Sequence, residues 1–560
     1  MYAENMEIVK VGSLRLFKAI LDRLEVIDTV NANLRWDQKQ WKISPGSIIA
    51  AMMMAMFCGR RALFSLNRVY ARQDLELLFG RNDLVPGDFN DDCLGRALDR
   101  LSEAKEGFHV IFGGLVLRAQ AEYRFAVDSL HADTTSISVY GEYGGQEDGA
   151  PFILARGHNK DHRPDLKQFK YGLATNGQGI PVYGEALNGN RDDKTWSGSF
   201  LKYAPKLKRF MAENAVIVAD AAAMTGKSLE TIKGEGLRVV SRLPETFALC
   251  GGLKERAAAQ GGWQPSSHAD STRKNEEYKL LSFREYLVNG EYNFVAVQSQ
   301  SLAKTKDKTV EKAAAAEATR LKKAMAAFAK KSFTSLDGAG TAWGEEAHAL
   351  QPQYHSLSCS FRRLEKAETR SRPGRPRKGE ECGTRVFYAS DGAIARDEER
   401  IRHVKELAGI FVLFCSAPEL TPSETLRVYK EQSAIENRFR FLKDPYYVGP
   451  INLKLPHRVQ ALAHVMLLTL LVYSIFEWSV REGLKSEGEP FHVADSYRTF
   501  RPRGETVLPD LDDIAIFRLH GPDGISRQLP SNYSRRAERI VRLCGFDMSI
   551  YVNPPAVSSP

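Results

Sequence analysis

"FAVDSLHADTTSISVYGEY" (125–143) decides how this chain is read, because here helical periodicity gives way to a β-branched and aromatic stretch with an aspartate, Asp133, at the head of a run of hydroxyls. β-Branched and aromatic residues fit a pleated, half-buried surface, so a strand is expected. A second strand-like segment, "KYGLATNGQGIPVYGEAL" (170–187), carries a turn at Asn176–Gly179 and reads as a hairpin. "AVIVADAAAM" (215–224) is a short continuous apolar run closed by Asp220, the pattern of a strand buried on both faces with a helix after it. Together these predict a mixed sheet covered by helices.

Working outward, residues 1–120 keep helical spacing in "SLRLFKAILDRLEVI" and "CLGRALDRLSEAKEGFHVIFGGLVLRA", which predicts an N-terminal helical domain. Residues 121–245 form the first part of the sheet-bearing core, and 406–480 the second, resumed by the apolar strand "IFVLFCS" (410–416). Between them, 246–405 changes composition. It holds a strand-like "YNFVAVQS", a Lys/Ala helix with Val310, Ala314, Ala318, Leu321, Met325 and Phe328 at helical spacing, and a basic loop, so an α+β insertion is expected. Residues 481–560 read as a polar C-terminal segment.

The chain has 560 residues, 78 Lys and Arg against 69 Asp and Glu, and a net charge of +9, a balance that points to nucleic acid as partner. Its seven cysteines are scattered without a CxxC pair, which argues against a zinc knuckle or a disulfide framework and fits a reducing cytoplasm. No secretory leader opens it. Two apolar runs, 47–59 and 459–478, are expected to be buried helices. The first is too short for a bilayer; the second is interrupted by His464 and Thr469 and closed by Glu477. "AAAMTGKS" (221–228) lacks the first glycine of a phosphate-binding loop, and "HNKDHRPD" (158–165) follows no ligand spacing.

"TPSETLRVYKEQSAIENRFRFLK" (421–443) has a marked helix start: Thr421 and Glu424 make a capping box and Pro422 takes the first turn. Read as one helix, it presents Tyr429, Gln432, Glu436 and Lys443 within roughly 60° of each other, beside an apolar stripe of Ile435, Phe439 and Leu442. Asp133, Asp220 and Glu436 would form a tri-carboxylate site if brought together. Clustered carboxylates repel unless cations neutralise them, and two Mg²⁺ or Mn²⁺ ions about 4 Å apart serve phosphodiester chemistry in such sites.

In these motifs the sequence resembles the DDE transposases of bacterial insertion sequences, in the group with the YREK signature. Tyr429-x2-Gln432-x3-Glu436-x6-Lys443 matches that signature, "DTTS" (133–136) resembles the first catalytic block and "VIVAD" (216–220) the second. The resemblance implies a ribonuclease-H-like fold, metal ligation by Asp133, Asp220 and Glu436, and contacts to double-stranded DNA, both element ends and target, from Tyr429, Gln432 and Lys443. It also implies cut-and-paste movement with 3′ hydroxyl joining, a hairpin intermediate, and a homodimer on paired ends, in the cytoplasm at the nucleoid and away from membranes. Gln432 departs from the family's arginine and brings no charge. Asp133 is preferred to Asp128 as first acid, and the small hydroxyls after it are expected to leave room for metal and phosphate. "RSRPGRPRKG" (370–379) resembles an AT-hook, so Arg372, Arg375, Arg377 and Lys378 are expected to touch DNA. A ribonuclease-H-like endonuclease that cuts without joining, and a DNA-binding regulator that has lost catalysis, are the alternatives.

Overall fold

The computed structural model describes residues 6–57, 66–144, 152–159, 163–266, 277–367, 384–444, 451–494, 497–522 and 524–555. Strand β1 (Met6–Lys10) is followed by helices α1 (Leu14–Arg23), α2 (Val26–Asn33), α3 (Pro45–Met56), α4 (Leu66–Tyr70), α5 (Leu75–Phe79), α6 (Asp91–Ser102) and α7 (Phe108–Tyr123). Helix α3 starts at Ser44, whose hydroxyl accepts the Ser47 N–H, with Pro45 in the first turn. It is apolar all round because neighbours surround it; Ile49, Met52 and Met53 are fully buried.

Strands β2 (Ser129–Val139), β3 (Lys167–Asn176) and β4 (Pro181–Leu187) come next, then α8 (Asp193–Tyr203), β5 (Val216–Ala219), α9 (Gly226–Gly234), β6 (Val239–Arg242) and α10 (Ala248–Gln260). The expected hairpin is β3–β4. Its turn is closed by the Asn176 side chain, which accepts N–H groups from Gln178 and Ile180, and Gly179 takes a φ of +84°. Strands β7 (Gln264–Pro265), β8 (Tyr278–Leu287) and β9 (Gly290–Ser299) precede α11 (Gln300–Phe328), β10 (Ser332–Phe333), α12 (Leu336–Leu350), β11 (His355–Ala367), β12 (Thr384–Arg396) and α13 (Glu398–Ala408). The chain continues through β13 (Ile410–Cys415), α14 (Pro422–Lys430), α15 (Ser433–Lys443), α16 (Pro456–Glu487), β14 (Phe491–Ala494), β15 (Tyr497–Thr499), α17 (Gly504–Val507), β16 (Ala515–Gly521), β17 (Gly524–Gln528) and α18 (Arg535–Leu543).

The central sheet is mixed and nine-stranded, in the order β4-β3-β2-β5-β6-β13-β9-β8-β7. Its middle strands β2, β5 and β6 run parallel, while β3 and β13 flank them antiparallel. Helices α14 and α15 pack on one face, with α16 against β4; α8 packs on β2 and α10 on β13, β9 and β8. This is the mixed, helix-flanked sheet expected of a ribonuclease-H-like fold.

The segment 246–405 divides between two places. Strands β8 and β9 extend the central sheet beyond β13, whereas β10, β12 and β11 form a separate three-stranded sheet with α11 and α12 packed on it. The hydrophobic core runs without interruption from Val9 through the N-terminal helices and the sheet to Tyr551. β1 pairs with β16, Val9 facing Ile516, which ties the two ends of the chain together. The spine of this core is α16, which touches α1, α3, α6, α7, α15 and α18. It is long and apolar enough to cross a membrane, and here it is mostly buried in protein. Its polar interruptions are accommodated inside: Thr469 donates to the Val465 carbonyl at 2.8 Å, and the His464 ring stacks on Phe108 at 3.9 Å between centroids. Burial pushes the His464 pKa down to about 3, so this ring is neutral at physiological pH.

Candidate active site on two parallel strands

β2 and β5 pair in parallel, with Ser129 facing Val216 and Ala132 facing Ala219. One step further in the same register come Asp133 and Asp220. Side chains alternate along a strand, so Asp133 shares a face with His131, and Asp220 shares one with Val216 and Val218. Val218 packs with Val428 of α14, so both aspartates belong to the face that α14 and α15 cover. Each carboxylate accepts the next residue's N–H at 2.7 Å through Oδ1, Thr134 for Asp133 and Ala221 for Asp220, which fixes its direction. Asp220 is exposed and Asp133 half-buried.

The hydroxyls following Asp133 do not all serve this face. Thr134 and Ser136 point through the sheet: the Thr134 hydroxyl donates to Asp193 Oδ1 at 2.9 Å, an oxygen the Lys170 ammonium also holds at 2.7 Å, and Ser136 reaches the His158 carbonyl. The expectation that the whole run leaves room for metal and phosphate is therefore corrected by strand alternation. Only Thr135 lies on the Asp133 side.

The Glu436 segment starts as expected. Thr421 Oγ1 accepts the Glu424 N–H and the Glu424 carboxylate accepts the Thr421 N–H, closing the capping box. It is not one helix, however. At Glu431 and Gln432 the bonding tightens, with Gln432 N–H donating to Tyr429, Ala434 to Glu431 and Ile435 to Gln432, each three residues back. This single 3₁₀-like step separates α14 from α15 and changes the wheel on which Tyr429 and Gln432 were aligned with Glu436. Beyond it, Ile435, Phe439 and Leu442 are buried as the stripe predicted, against β2 and β3. Glu436 is exposed on the adjoining flank, and Lys443 stands two turns further on the same side.

Tyr429 links the helical and strand parts. It is half-buried against Phe411, ring centroids 6.1 Å apart. Its hydroxyl pKa is raised, mainly by burial and further by the charges of Asp220 and Glu436, with Arg242 opposing. Tyr429 thus stands within electrostatic reach of both acids. Gln432 sits half-buried at the step between the helices. Asp128 is exposed just before β2, about 16 Å along the chain from Asp133 at ~3.3 Å per residue. Arg372, Arg375, Arg377 and Lys378 lie outside the described residues.

Sequence reasoning missed Glu431 and His131. Glu431, at the step, lies against the fully buried His131 of β2 and is bridged to it by Ser129. Burial pushes the Glu431 carboxyl up, but the bonds and charges of His131 and Arg427 outweigh it and hold it below the usual range. The sequence carries it only as an acid at the i+4 position from Arg427, a spacing that any surface ion pair on a helix shares. Arg242, whose guanidinium lies 5.6 Å from the Phe411 ring centre, was likewise invisible as a neighbour of Tyr429.

Among the described residues, no three His, Cys, Asp or Glu side chains form a ready-made ion site. Asp133 stands in the middle of β2, Asp220 just past the end of β5 and Glu436 on a helix flank, and the three offer oxygen donors alone. Such a donor set suits hard cations, Mg²⁺ or Mn²⁺, and not the soft ligation preferred by copper(I) or structural zinc.

A family model described as a transposase DDE domain matches residues 122–472, more than half of the chain. A second, described as a domain of unknown function (DUF4277), matches residues 6–117. No curated protein matches the chain.

Proposed function

We propose the following role for this chain, which belongs to the family of transposases with a DDE domain: it binds the ends of its own insertion sequence, cleaves them by metal-dependent hydrolysis, and joins the freed 3′ hydroxyl to target DNA. The observation that supports this most directly is the consecutive register of Asp133 and Asp220 on parallel strands, with Tyr429 in electrostatic reach of Asp220 and of Glu436.

In this reading Asp133, Asp220 and Glu436 hold two Mg²⁺ or Mn²⁺ ions. Bound there, the ions would lower the pKa of the attacking water or 3′ hydroxyl and take up charge on the leaving oxygen. The protein's own part is positioning. The N–H bonds to Asp133 and Asp220 aim the two strand carboxylates, and the buried stripe of α15 presents Glu436 to the same face. Tyr429 would bring its hydroxyl to the DNA near the cut, Lys443 a charge for the backbone, and Gln432 a hydrogen bond without charge. The basic loop with Arg372, Arg375, Arg377 and Lys378 would add phosphate attraction. The spacing Tyr429-x2-Gln432-x3-Glu436-x6-Lys443 supports membership of the YREK group, and in this reading the chain works as a homodimer on paired ends in the cytoplasm.

The test is incubation of the full chain with a labelled element end, a target plasmid and Mg²⁺. Joined products are expected. Nicks alone would identify an endonuclease, and a shifted but uncut complex a DNA-binding regulator; either overturns the reading.

A further inference from the structure

About 100° round α15 from Glu436, a cleft of about 1140 Å³ opens between the start of β2, the β3–β4 turn, the α14–α15 step, α16 and the stretch Tyr497–Arg503. Eight of its lining residues are Arg or Lys and five are Asp or Glu, an excess of three positive charges. The acids are shared. Glu505 takes both Arg440, at 2.5 Å, and Arg503, at 3.4 Å, while Glu477 takes both Arg438 and Arg481. Arg498 and Arg501 have no carboxylate partner among the described residues.

Between these cations stand two large rings that water should disfavour: Tyr497 is 56% and Phe500 40% exposed. The stretch that bears them, Tyr-Arg-Thr-Phe-Arg-Pro-Arg, is held in place. Its first residues pair with β14, the Pro502 carbonyl accepts from Arg481 Nε at 3.0 Å, and the Gly504 N–H donates to Glu477 Oε1 at 2.9 Å. Rings and guanidiniums therefore alternate on a fixed backbone along the rim.

We infer that this cleft is a second nucleic-acid site that takes a single-stranded segment of DNA. A polyanion answers the surplus positive charge, and the volume exceeds the roughly 300–1,000 Å³ of small-molecule pockets. Exposed rings between arginines are stacking platforms for unpaired bases, a contact duplex DNA cannot make because its bases are already stacked. α15 separates the cleft from the Glu436 flank, so a strand released at the carboxylates has a short path to it. The source of the strand rests on the transposase reading; the chemistry of the cleft does not.

The experiment is fluorescence anisotropy of the full chain with a labelled twelve-residue oligothymidine and, separately, a twelve-pair duplex, without divalent ions. Arg498→Gln/Arg501→Gln is expected to weaken oligothymidine binding at least tenfold and to reduce the slope of log affinity against log salt by about 1.4, at ~0.7 per phosphate on single strands. Tyr497→Ala/Phe500→Ala is expected to weaken it about tenfold at an unchanged salt slope. Duplex binding should move less than twofold in both. Equal losses on both probes would make the surface a general phosphate patch and overturn the inference, as would oligothymidine binding indifferent to both pairs. Glu436→Ala serves as the separating control: if it spares cleavage, the transposase reading fails, while the oligothymidine result still decides the cleft.

Discussion

Glu431 Oε2 lies 3.8 Å from Nε2 of His131, a fully buried residue two positions before Asp133 on β2. Ser129 Oγ completes the latch, 2.9 Å from His131 Nε2 and 3.4 Å from Glu431 Oε2. Gly177 makes room for it, since a Cβ there would stand 2.7 Å from the Glu431 carboxylate. The step between α14 and α15 is thereby fastened to the strand of the first acid, five residues before Glu436. Glu431→Gln is expected to destabilise the protein by about 1–3 kcal/mol at pH 7, because the charge on a half-buried hydrogen-bonded carboxylate is lost. The Glu431 carboxyl is held below its ordinary value, with His131 and Arg427 overcoming the effect of burial. A lowered folded pKa stabilises above the unfolded value and loses that contribution as pH falls through the folded one. The gap between wild type and Glu431→Gln in urea denaturation should thus hold above the ordinary carboxylate value of about 4.3 and narrow as pH falls below it. A gap that widens as pH falls through that range would contradict this account.

Alanine at Asp133, Asp220 or Glu436 is expected to abolish cleavage of a labelled end in Mg²⁺ while changing end binding less than about threefold, since each removes an oxygen donor and no phosphate contact. Chelation with EDTA should do the same to the wild type. A variant that still cuts at near-normal rate would remove its residue from the assignment. Asp128→Ala should cut normally, because that carboxylate lies just before β2, away from Asp133.

Neutralising Arg372, Arg375, Arg377 and Lys378 together is expected to weaken duplex binding and flatten its salt dependence by up to about 3.6 in log–log slope, at ~0.9 per phosphate neutralised. A slope identical to wild type would take the loop off the DNA. Loss confined to AT-rich duplexes would favour insertion in a narrow minor groove.

Much of this site is local, and local features are what a sequence displays. Asp133 and Asp220 are legible because each sits at a change of pattern, and Glu436 because capping box, stripe and signature spacing agree. The step at Glu431–Gln432 is not legible: nothing from Thr425 to Lys443 is Gly or Pro, and the step coincides with a tertiary latch to His131, 300 positions away. The place of β8 and β9 in the central sheet was hidden for the same reason, since β9 joins it by pairing with β13, which follows more than a hundred residues later. Glu477 looked like the polar end of an apolar run, and only the packed structure gives it Arg438 as partner.

That pair carries the last expectation. Arg438 Nη2 lies 2.5 Å from Glu477 Oε2, with both side chains 5% exposed. Arg438 Nε also donates to the Gly179 carbonyl at 2.7 Å, so α15 is joined at once to the β3–β4 turn and to α16. Removing one partner leaves a buried charge, and Arg438→Met is expected to cost roughly 3–5 kcal/mol in urea denaturation. Adding Glu477→Gln should recover part of that, because the stranded carboxylate is then neutral; Arg481, 3.0 Å from Glu477 Oε1, keeps the recovery incomplete. The two changes should therefore be less than additive, with a coupling of about 0.5–3 kcal/mol. Strict additivity would mean that the two groups do not feel each other. Arg438 lies two residues beyond Glu436 on the same short helix, so the methionine variant should also lose cleavage, about tenfold or more, at temperatures where it remains folded. Full cleavage by a folded Arg438→Met protein would show that α15 holds Glu436 in place through its apolar stripe alone.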